Sequence, residues 1–370
     1  MAGKGRLHPL DGLRGLAALG VVLLHAWMYT GANLPGKDLT VDRWMGELRV
    51  CVLLFFVFSG FLLAKPWVAA ARGERAAPQL ASYVVRRLAR IAPAYWLALA
   101  GAVALLHGTG HGRDVPLHDI PKFVVFLANV FPETRNQLDP PMWSLHVEVS
   151  FYILLPLIGL ALIRAGRWRL KLLAVCAALV AAGTAFTTAA VLQGWRPEIT
   201  WTLPSYLATF ACGIAAAVLS HGAQPRRRVT RAVFLAGAAT VLADCWWHTQ
   251  GYSVVFHALR DLPASIGFAA MLWAVSLRPA PLLGSPPLRA LGTLSYGIYL
   301  WHYPAIYWLQ MHHEFPRAFG AALLRILPIT FALAALSYFL LERPVMRLTA
   351  RALARRRAPR PSRGPALAET

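Results

Sequence analysis

Acidic side chains are scarce in this chain: 16 Asp and Glu residues stand against 37 Lys and Arg residues. Charged residues of either sign make up only 14% of the 370 residues, whereas hydrophobic residues make up 57%. This composition, with a mean hydropathy of +0.50, excludes an ordinary soluble domain. Several apolar runs approach the roughly 20 residues that cross a bilayer. The sequence therefore predicts a polytopic membrane protein.

Cysteine is also scarce, and its placement excludes a disulfide framework. The four cysteines lie in or beside apolar runs without a CxxC pair, so they are interpreted as small buried hydrophobic residues. The sequence has no HxxH, HExxH, P-loop or GxGxxG motif, so we predict no metal site and no bound cofactor. The net charge of +21 does not indicate nucleic-acid binding, because the basic residues lie in short loops and the C-terminal tail.

The apolar runs predict an all-α fold of about ten transmembrane helices. The run 123–131 is too short to cross and is interpreted as re-entrant or interfacial. More than two thirds of the Lys and Arg residues lie in segments that this topology places on one side, so the positive-inside rule predicts that both termini are cytoplasmic. The predicted spans are 9–30, 50–70, 87–107, 143–163, 171–192, 202–220, 230–247, 262–277, 289–310 and 320–341.

The chain end differs from the rest in composition. Residues 347–370 are rich in arginine and proline, which predicts a basic, disordered cytoplasmic tail that contacts anionic membrane lipids. We expect residues 1–346 to form one membrane domain.

The first span carries three ionisable residues in an otherwise apolar run, Leu10–Trp27. Arg14 and His25 are eleven residues apart, so on a helix they share one face and lie roughly 16 Å apart along the axis. Asp11 lies one turn before Arg14. Charges inside a membrane helix are costly unless they face the protein interior, so this helix is predicted to form one wall of a buried site. Pairing near the headgroups, or a structural role for His25, is the alternative.

The third span begins with clustered arginines. Arg87 and Arg90 lie one turn apart and Arg86 precedes them, at a helix start that itself favours anions. Arginine suits bidentate phosphate contacts, so this cluster is a candidate anion site. Ordinary positive-inside charge is the competing explanation.

The fourth span contains Glu148, which we expect at a depth similar to that of His25. A buried carboxylate beside a histidine can orient the ring and stabilise its cation. We assign supporting roles to Ser144 on this span and to Ser59 on the second span. Close helix packing at Ser59 and Gly60 is the alternative explanation for that pair.

The last two spans add three candidates. Tyr299 and His302 belong to a polar stripe that lines a substrate path or, alternatively, an interfacial aromatic belt. Glu342 lies at the predicted cytoplasmic edge, where it is expected to pair with Arg14 or with the arginines of the third span.

Six motifs occur in order at the predicted spans: LDGLRGLAAL, FFVFSGF, RRLARIAPAYW, WSLHVEVSFY, SYGIYLWH and YFLLERP. Together they make residues 9–346 resemble the membrane-bound acyltransferase 3 family, which includes bacterial O-acetyltransferases of surface polysaccharides and macrolide acyltransferases. The resemblance agrees with the ten-helix topology. It also implies a location in the bacterial inner membrane.

The resemblance implies transfer of an acyl group, expected to be acetyl, from cytoplasmic acyl-CoA to a hydroxyl group. The acceptor is a glycan, a lipid-linked sugar or a macrolide. In this interpretation Arg14, Arg86, Arg87 and Arg90 bind the donor. His25 is the general base or forms an acyl-histidine, and Glu148 assists it. Candidates for stabilising the oxyanion are Ser59, Tyr299 and Arg14.

A second class of function remains open from the sequence. A proton-coupled transporter or flippase for a lipid-linked or amphipathic substrate would use His25, Glu148 and His302 as a proton relay.

Overall fold

The computed structural model describes residues 8–30, 39–250, 259, 261–278 and 280–357, and this part of the chain is helical and contains no strand. A π-helical turn, Tyr338–Glu342, joins the last two helices. The helices are α1 His8–Tyr29, α2 Leu39–Glu47, α3 Cys51–Ala71, α4 Leu80–Leu106, α5 Ile120–Val124, α6 Trp143–Ala165, α7 Arg169–Leu192, α8 Pro197–Thr200, α9 Leu203–Ser220, α10 Arg227–Thr249, α11 Leu262–Leu277, α12 Pro286–Met311, α13 Phe319–Ser337 and α14 Arg343–Arg357.

Eight helical segments of the described chain are long and apolar enough to cross a membrane. They contain α1, α3, α4, α6, α7, α9, α10 and α13, which confirms the predicted all-α polytopic class. The helix α11 has 16 residues and is shorter than these. The helix α12 has 26 residues but is less apolar, because it carries tyrosine, tryptophan and histidine side chains. The number ten and the side of the termini stay predictions.

Two predicted non-spanning segments can be compared with the structure. Within 123–131 the chain forms only the end of α5 and a single 3-10 turn, Ala128–Val130, so this run is short, as expected. The predicted disordered tail, in contrast, is helical as far as Arg357. Alanine, leucine and arginine, which dominate this stretch, are strong helix formers. Residues 358–370 lie outside the described part.

The helices that carry the candidate residues pack through glycines. On α1, a Cβ atom at Gly15 would lie 2.7 Å from the Cβ of Leu291 and 2.8 Å from the amide nitrogen of Gly292 on α12. On α3, a Cβ at Gly60 would lie 3.3 Å from the Cα of Gly213 on α9. Small residues allow such backbone contact between membrane helices. Close helix packing, which the sequence offered as the alternative role of Ser59 and Gly60, is therefore observed at Gly60.

We predict that Gly15→Ala lowers the thermal unfolding midpoint of the protein in detergent. The added methyl group has no room against α12, and such overpacking costs about 1–3 kcal/mol. The matched control is Gly46→Ala on α2, where a Cβ meets nothing within 4 Å. There the change should leave the midpoint unchanged or raise it, because alanine favours a helix by up to about 1 kcal/mol over glycine. Equal midpoints for the two variants would contradict this account of the α1–α12 contact.

Candidate active site

A cavity of about 280 Å³ lies between α1, α3, α4, α6 and α12. Its walls combine phenylalanine and leucine side chains with charged and hydroxyl groups. This volume lies just below the roughly 300–1,000 Å³ typical of small-molecule pockets, so the cavity suits a slender group. The polar lining residues are Arg14, Ser59, Arg87, Arg90, Ser144, Glu148, Tyr152, Ser295, Tyr296 and Tyr299.

Three arginines and one carboxylate line the cavity. Each of the arginines lies close to an aromatic ring. Contacts between arginine and a ring within about 6 Å are attractive and use no N–H donor. The rings therefore support the guanidinium groups without occupying the donors that would bind an anion. The guanidinium carbons of Arg14, Arg87 and Arg90 lie 5.8, 5.9 and 5.4 Å from the ring centres of Phe58, Tyr152 and Tyr296, respectively.

Arg90, the last arginine of α4, forms an ion pair. Arg90 Nη1 donates to Oε2 of Glu342 at 2.9 Å, and the Glu342 side chain is only 2% exposed. Glu342 ends the π-helical turn before α14. Sequence reasoning predicted an arginine partner for Glu342 and left Arg14 and the α4 arginines open; the structure selects Arg90.

Glu148 lies in the cavity, where two hydroxyl groups surround its carboxylate. Its Oε1 accepts hydrogen bonds from Ser59 Oγ and, at 2.7 Å, from the hydroxyl of Tyr152. We expected Glu148 to pair with His25. Among the described residues no hydrogen bond joins these two side chains, and Glu148 bonds to Ser59 and Tyr152 instead. Similar depth on two helices does not determine which faces meet. Tyr152 was missed, although its position four residues after Glu148 places it on the same helix face.

His25 instead pairs with His302. Nδ1 of His25 lies 2.9 Å from Nε2 of His302, and the rings stack with centres 5.0 Å apart. Nδ1 of His302 lies 3.2 Å from the carbonyl oxygen of Ile298, which can only accept, so this nitrogen carries the hydrogen. His302 Nε2 then accepts from His25 Nδ1–H. This pattern puts the lone pair of neutral His25 on Nε2.

A hydroxyl contact in the cavity wall lies near the histidine pair. Ser144 Oγ and the Tyr299 hydroxyl are 2.7 Å apart, and Tyr299 donates to the carbonyl of Pro141 at 2.8 Å. Both Ser144 and Tyr299 line the cavity, whereas His25 and His302 do not. The ring of Tyr299 lies 5.9 Å from that of His302. The histidine pair is therefore next to the cavity, beside Tyr299.

Two of the predicted residues, Arg86 and Asp11, do not line the cavity. Arg86 is exposed and does not line the cavity. Asp11 is half-buried, and α12 packs closely against its backbone at Gly292. The cavity brings together Arg14, Ser59, Arg87, Arg90, Ser144, Glu148 and Tyr299.

A separate polar cluster joins α10, the start of α11 and the residues before α3. Donor atoms of Asp244, His248 and Asp261 lie within 4.8 Å of one another, a spacing compatible with a metal ion. Arg49 binds both oxygens of Asp261 at 2.7 Å. The sequence predicted no metal site here, because the three residues do not form a recognised motif.

The fold and this site define a polytopic membrane protein that buries a cationic, hydroxyl-rich cavity beside a histidine pair. The chain belongs to the acyltransferase 3 family, whose model, described as an acyltransferase domain, matches residues 7–342. This match confirms the resemblance found in the sequence.

Curated relatives span most of the chain. It is 30% identical to "Nodulation protein 10" of Rhizobium leguminosarum bv. viciae, over 95% of this chain and 97% of that protein. It is 28% identical to "Putative peptidoglycan O-acetyltransferase YrhL" of Bacillus subtilis, over 94% of this chain and 56% of that protein, so it spans about half of YrhL. It is also 28% identical to "Putative membrane-bound transacylase BcsY" of Komagataeibacter xylinus, over 92% of this chain and 83% of that protein. No solved structure gives a significant match.

We predict energetic coupling between Arg90 and Glu342. Replacing either residue alone by glutamine leaves one buried charge without its partner, which destabilises the protein more than losing both charges. The double variant Arg90→Gln/Glu342→Gln should recover part of the lost stability, with a coupling energy of about 0.5–3 kcal/mol. Unfolding midpoints of the wild type, both single variants and the double variant in detergent measure this energy, and strictly additive losses would contradict the pairing.

Proposed function

We propose that the protein is an acyl-CoA-dependent O-acyltransferase that moves an acyl group, expected to be acetyl, to a hydroxyl of its acceptor. The observation that carries this proposal is the convergence of Arg14, Arg87 and Arg90 on one narrow cavity that also holds Glu148. Positive charge at membrane depth is costly unless it is balanced. Glu342 pairs with Arg90 and Glu148 lies in the cavity, so three arginines face two carboxylates, and the excess positive charge favours an anionic ligand.

Acyl-CoA has the chemistry that this cavity favours. Its phosphates are anions that suit the guanidinium groups of Arg87 and Arg90 on α4. Its pantetheine arm is slender and matches the small volume of the cavity. The thioester at the end of that arm would then lie near Arg14, Ser59 and Glu148.

The excess of basic residues in one set of loops supports a cytoplasmic position for the α4 arginines and for both termini. Acyl-CoA is a cytoplasmic metabolite, so it would enter the cavity from that side. The histidine pair would lie nearer the opposite face of a bacterial inner membrane. Such an enzyme would join a cytoplasmic donor to an acceptor that approaches from the other face.

His25 is suited to act as a general base on the acceptor. With Nδ1–H donated to His302, its Nε2 is the atom that takes the proton from the acceptor hydroxyl. The hydroxyl oxygen becomes the new ester oxygen, and the carbon–sulfur bond of the thioester breaks as CoA leaves. His302 orients the ring of His25 and selects its tautomer, as the carboxylate does in a histidine–carboxylate pair.

The name of one relative favours a glycan as the acceptor. YrhL carries peptidoglycan in its name, whereas the name of BcsY gives the transacylase reaction without an acceptor. We therefore consider a glycan or lipid-linked sugar a better acceptor candidate than a macrolide.

The transporter alternative would also use the histidine pair, but it requires no acyl donor. Release of free CoA from acetyl-CoA by the purified protein separates the two functions.

We predict that Arg87→Gln weakens acetyl-CoA binding by about tenfold or more, because loss of a charge-assisted hydrogen bond removes roughly 1.5–3 kcal/mol. The matched control is Arg75→Gln, an exposed arginine in the loop between α3 and α4. Arg86→Gln, outside the cavity, should have a smaller effect than Arg87→Gln. Binding to purified protein measures this order. Equal losses in all three variants would mean that general surface charge, not the cavity, attracts the donor.

We predict that His25→Ala abolishes transfer and that His302→Asn lowers kcat by roughly 100-fold, the lower range for loss of general-base catalysis. The KM for acetyl-CoA should change little in His302→Asn, because His302 acts by positioning His25 and does not line the donor cavity. Steady-state kinetics with purified, folded variants separate kcat from KM. Full activity of His25→Ala would remove His25 from the mechanism.

A further inference from the structure

The structure separates two groups that can accept a proton. Glu148 lies in the cavity, hydrogen-bonded to Ser59 and Tyr152. The His25–His302 pair does not line that cavity, and the ring centre of His302 lies 5.9 Å from that of Tyr299, which does. A donor thioester in the cavity therefore meets Glu148 and Ser59 before it meets His25.

We propose that Ser59 is a nucleophile that accepts the acyl group from the donor and holds it as an ester before the acceptor receives it. This proposal rests on the proposed function and adds a covalent step to it. The carboxylate of Glu148 is the base for this step. The histidine pair then serves only the second step, at the acceptor.

Ser59 is distinguished from the other serines of the cavity by its partner. Ser144 shares its hydroxyl with Tyr299 and with the carbonyl of Pro141. Ser295 donates to the carbonyl of Gly292 on its own helix at 2.9 Å. Ser59 donates to a carboxylate. An adjacent base is the usual way in which a serine hydroxyl is activated as a nucleophile.

The surrounding groups suit the first step as well. Arg14 lines the same cavity, with its guanidinium beside Phe58, the residue that precedes Ser59. A cation there would stabilise the negative charge that develops on the thioester oxygen. The hydroxyl of Tyr152 donates to the same oxygen of Glu148 as Ser59 does, which holds the carboxylate in place.

The two steps balance in atoms and protons. In the first step, Ser59 Oγ bonds to the acyl carbon, its proton passes to Glu148, and the carbon–sulfur bond breaks. The CoA thiolate leaves with that proton as the free thiol. In the second step, the acceptor oxygen bonds to the acyl carbon and the ester bond to Ser59 breaks. His25 takes the acceptor proton and releases it to water, and the oxygen of Ser59 takes one proton from water, so the enzyme returns to its starting state without a net proton change.

This step relieves a spatial conflict. A cavity of about 280 Å³ that is filled by the arm of the donor leaves little room for a bulky acceptor. With the acyl group stored on Ser59, the donor can leave before the acceptor approaches. Donor and acceptor then use the site in turn.

The test is to incubate purified protein with radiolabelled acetyl-CoA and no acceptor. We expect a burst of free thiol of about one equivalent per active protein and an acetyl group on the peptide that contains Ser59, found by mass spectrometry. Glu148→Gln should slow the burst by roughly 100-fold or more. The control Ser150→Ala lies on α6 near Glu148, bonds only to a carbonyl of its own helix and should retain the burst.

Ser59→Ala should lose both the burst and the label. Ser59→Cys keeps a nucleophile at this position, so a labelled cysteine would show that the loss in Ser59→Ala is not a folding defect. A labelled cysteine would carry a thioester that neutral hydroxylamine cleaves, whereas the serine ester resists it. Label on His25, or an active Ser59→Ala variant that transfers without label, would overturn the proposal while leaving the acyltransferase function intact. No thiol release from folded wild type, even with acceptor present, would instead remove the proposed function itself.

Discussion

A charge that is buried between membrane helices must have a partner or a polar surrounding, because the bilayer supplies neither. The site of this protein is organised by that constraint. Arg90 is neutralised by Glu342, and Glu148 is surrounded by hydroxyl donors. The arginines also lie against aromatic rings. The remaining positive charge is directed into one cavity, where an anionic donor would complete the balance.

The sequence predicted the features that depend on one helix at a time. Hydropathy indicated the spans, and the charge of Arg14 inside an apolar run predicted that α1 forms a wall of a buried site, as it does at Arg14. Glu342 was expected to meet an arginine because both occur at the same predicted depth. These conclusions need only the rise and period of a helix.

The sequence did not predict contacts that depend on how separate helices face one another. His25 and His302 are 277 residues apart, and nothing in either motif specifies that the two rings meet. Glu148 was assigned to His25 because of its depth, yet its helix turns it towards Ser59 on α3. The rotation of a helix about its axis is determined by its packing against other helices. It cannot be derived from the residue spacing along one helix.

The glycine contact between α1 and α12 has a consequence beyond packing. His25 belongs to α1 and His302 to α12, so the backbone contact at Gly15 and Gly292 holds both rings on one rigid unit. Ser59 and Glu148 belong to α3 and α6, which form a second packed pair across the cavity. Because α1 also packs against α3, the packing between these two helix pairs sets the distance from the histidine pair to Ser59 and Glu148.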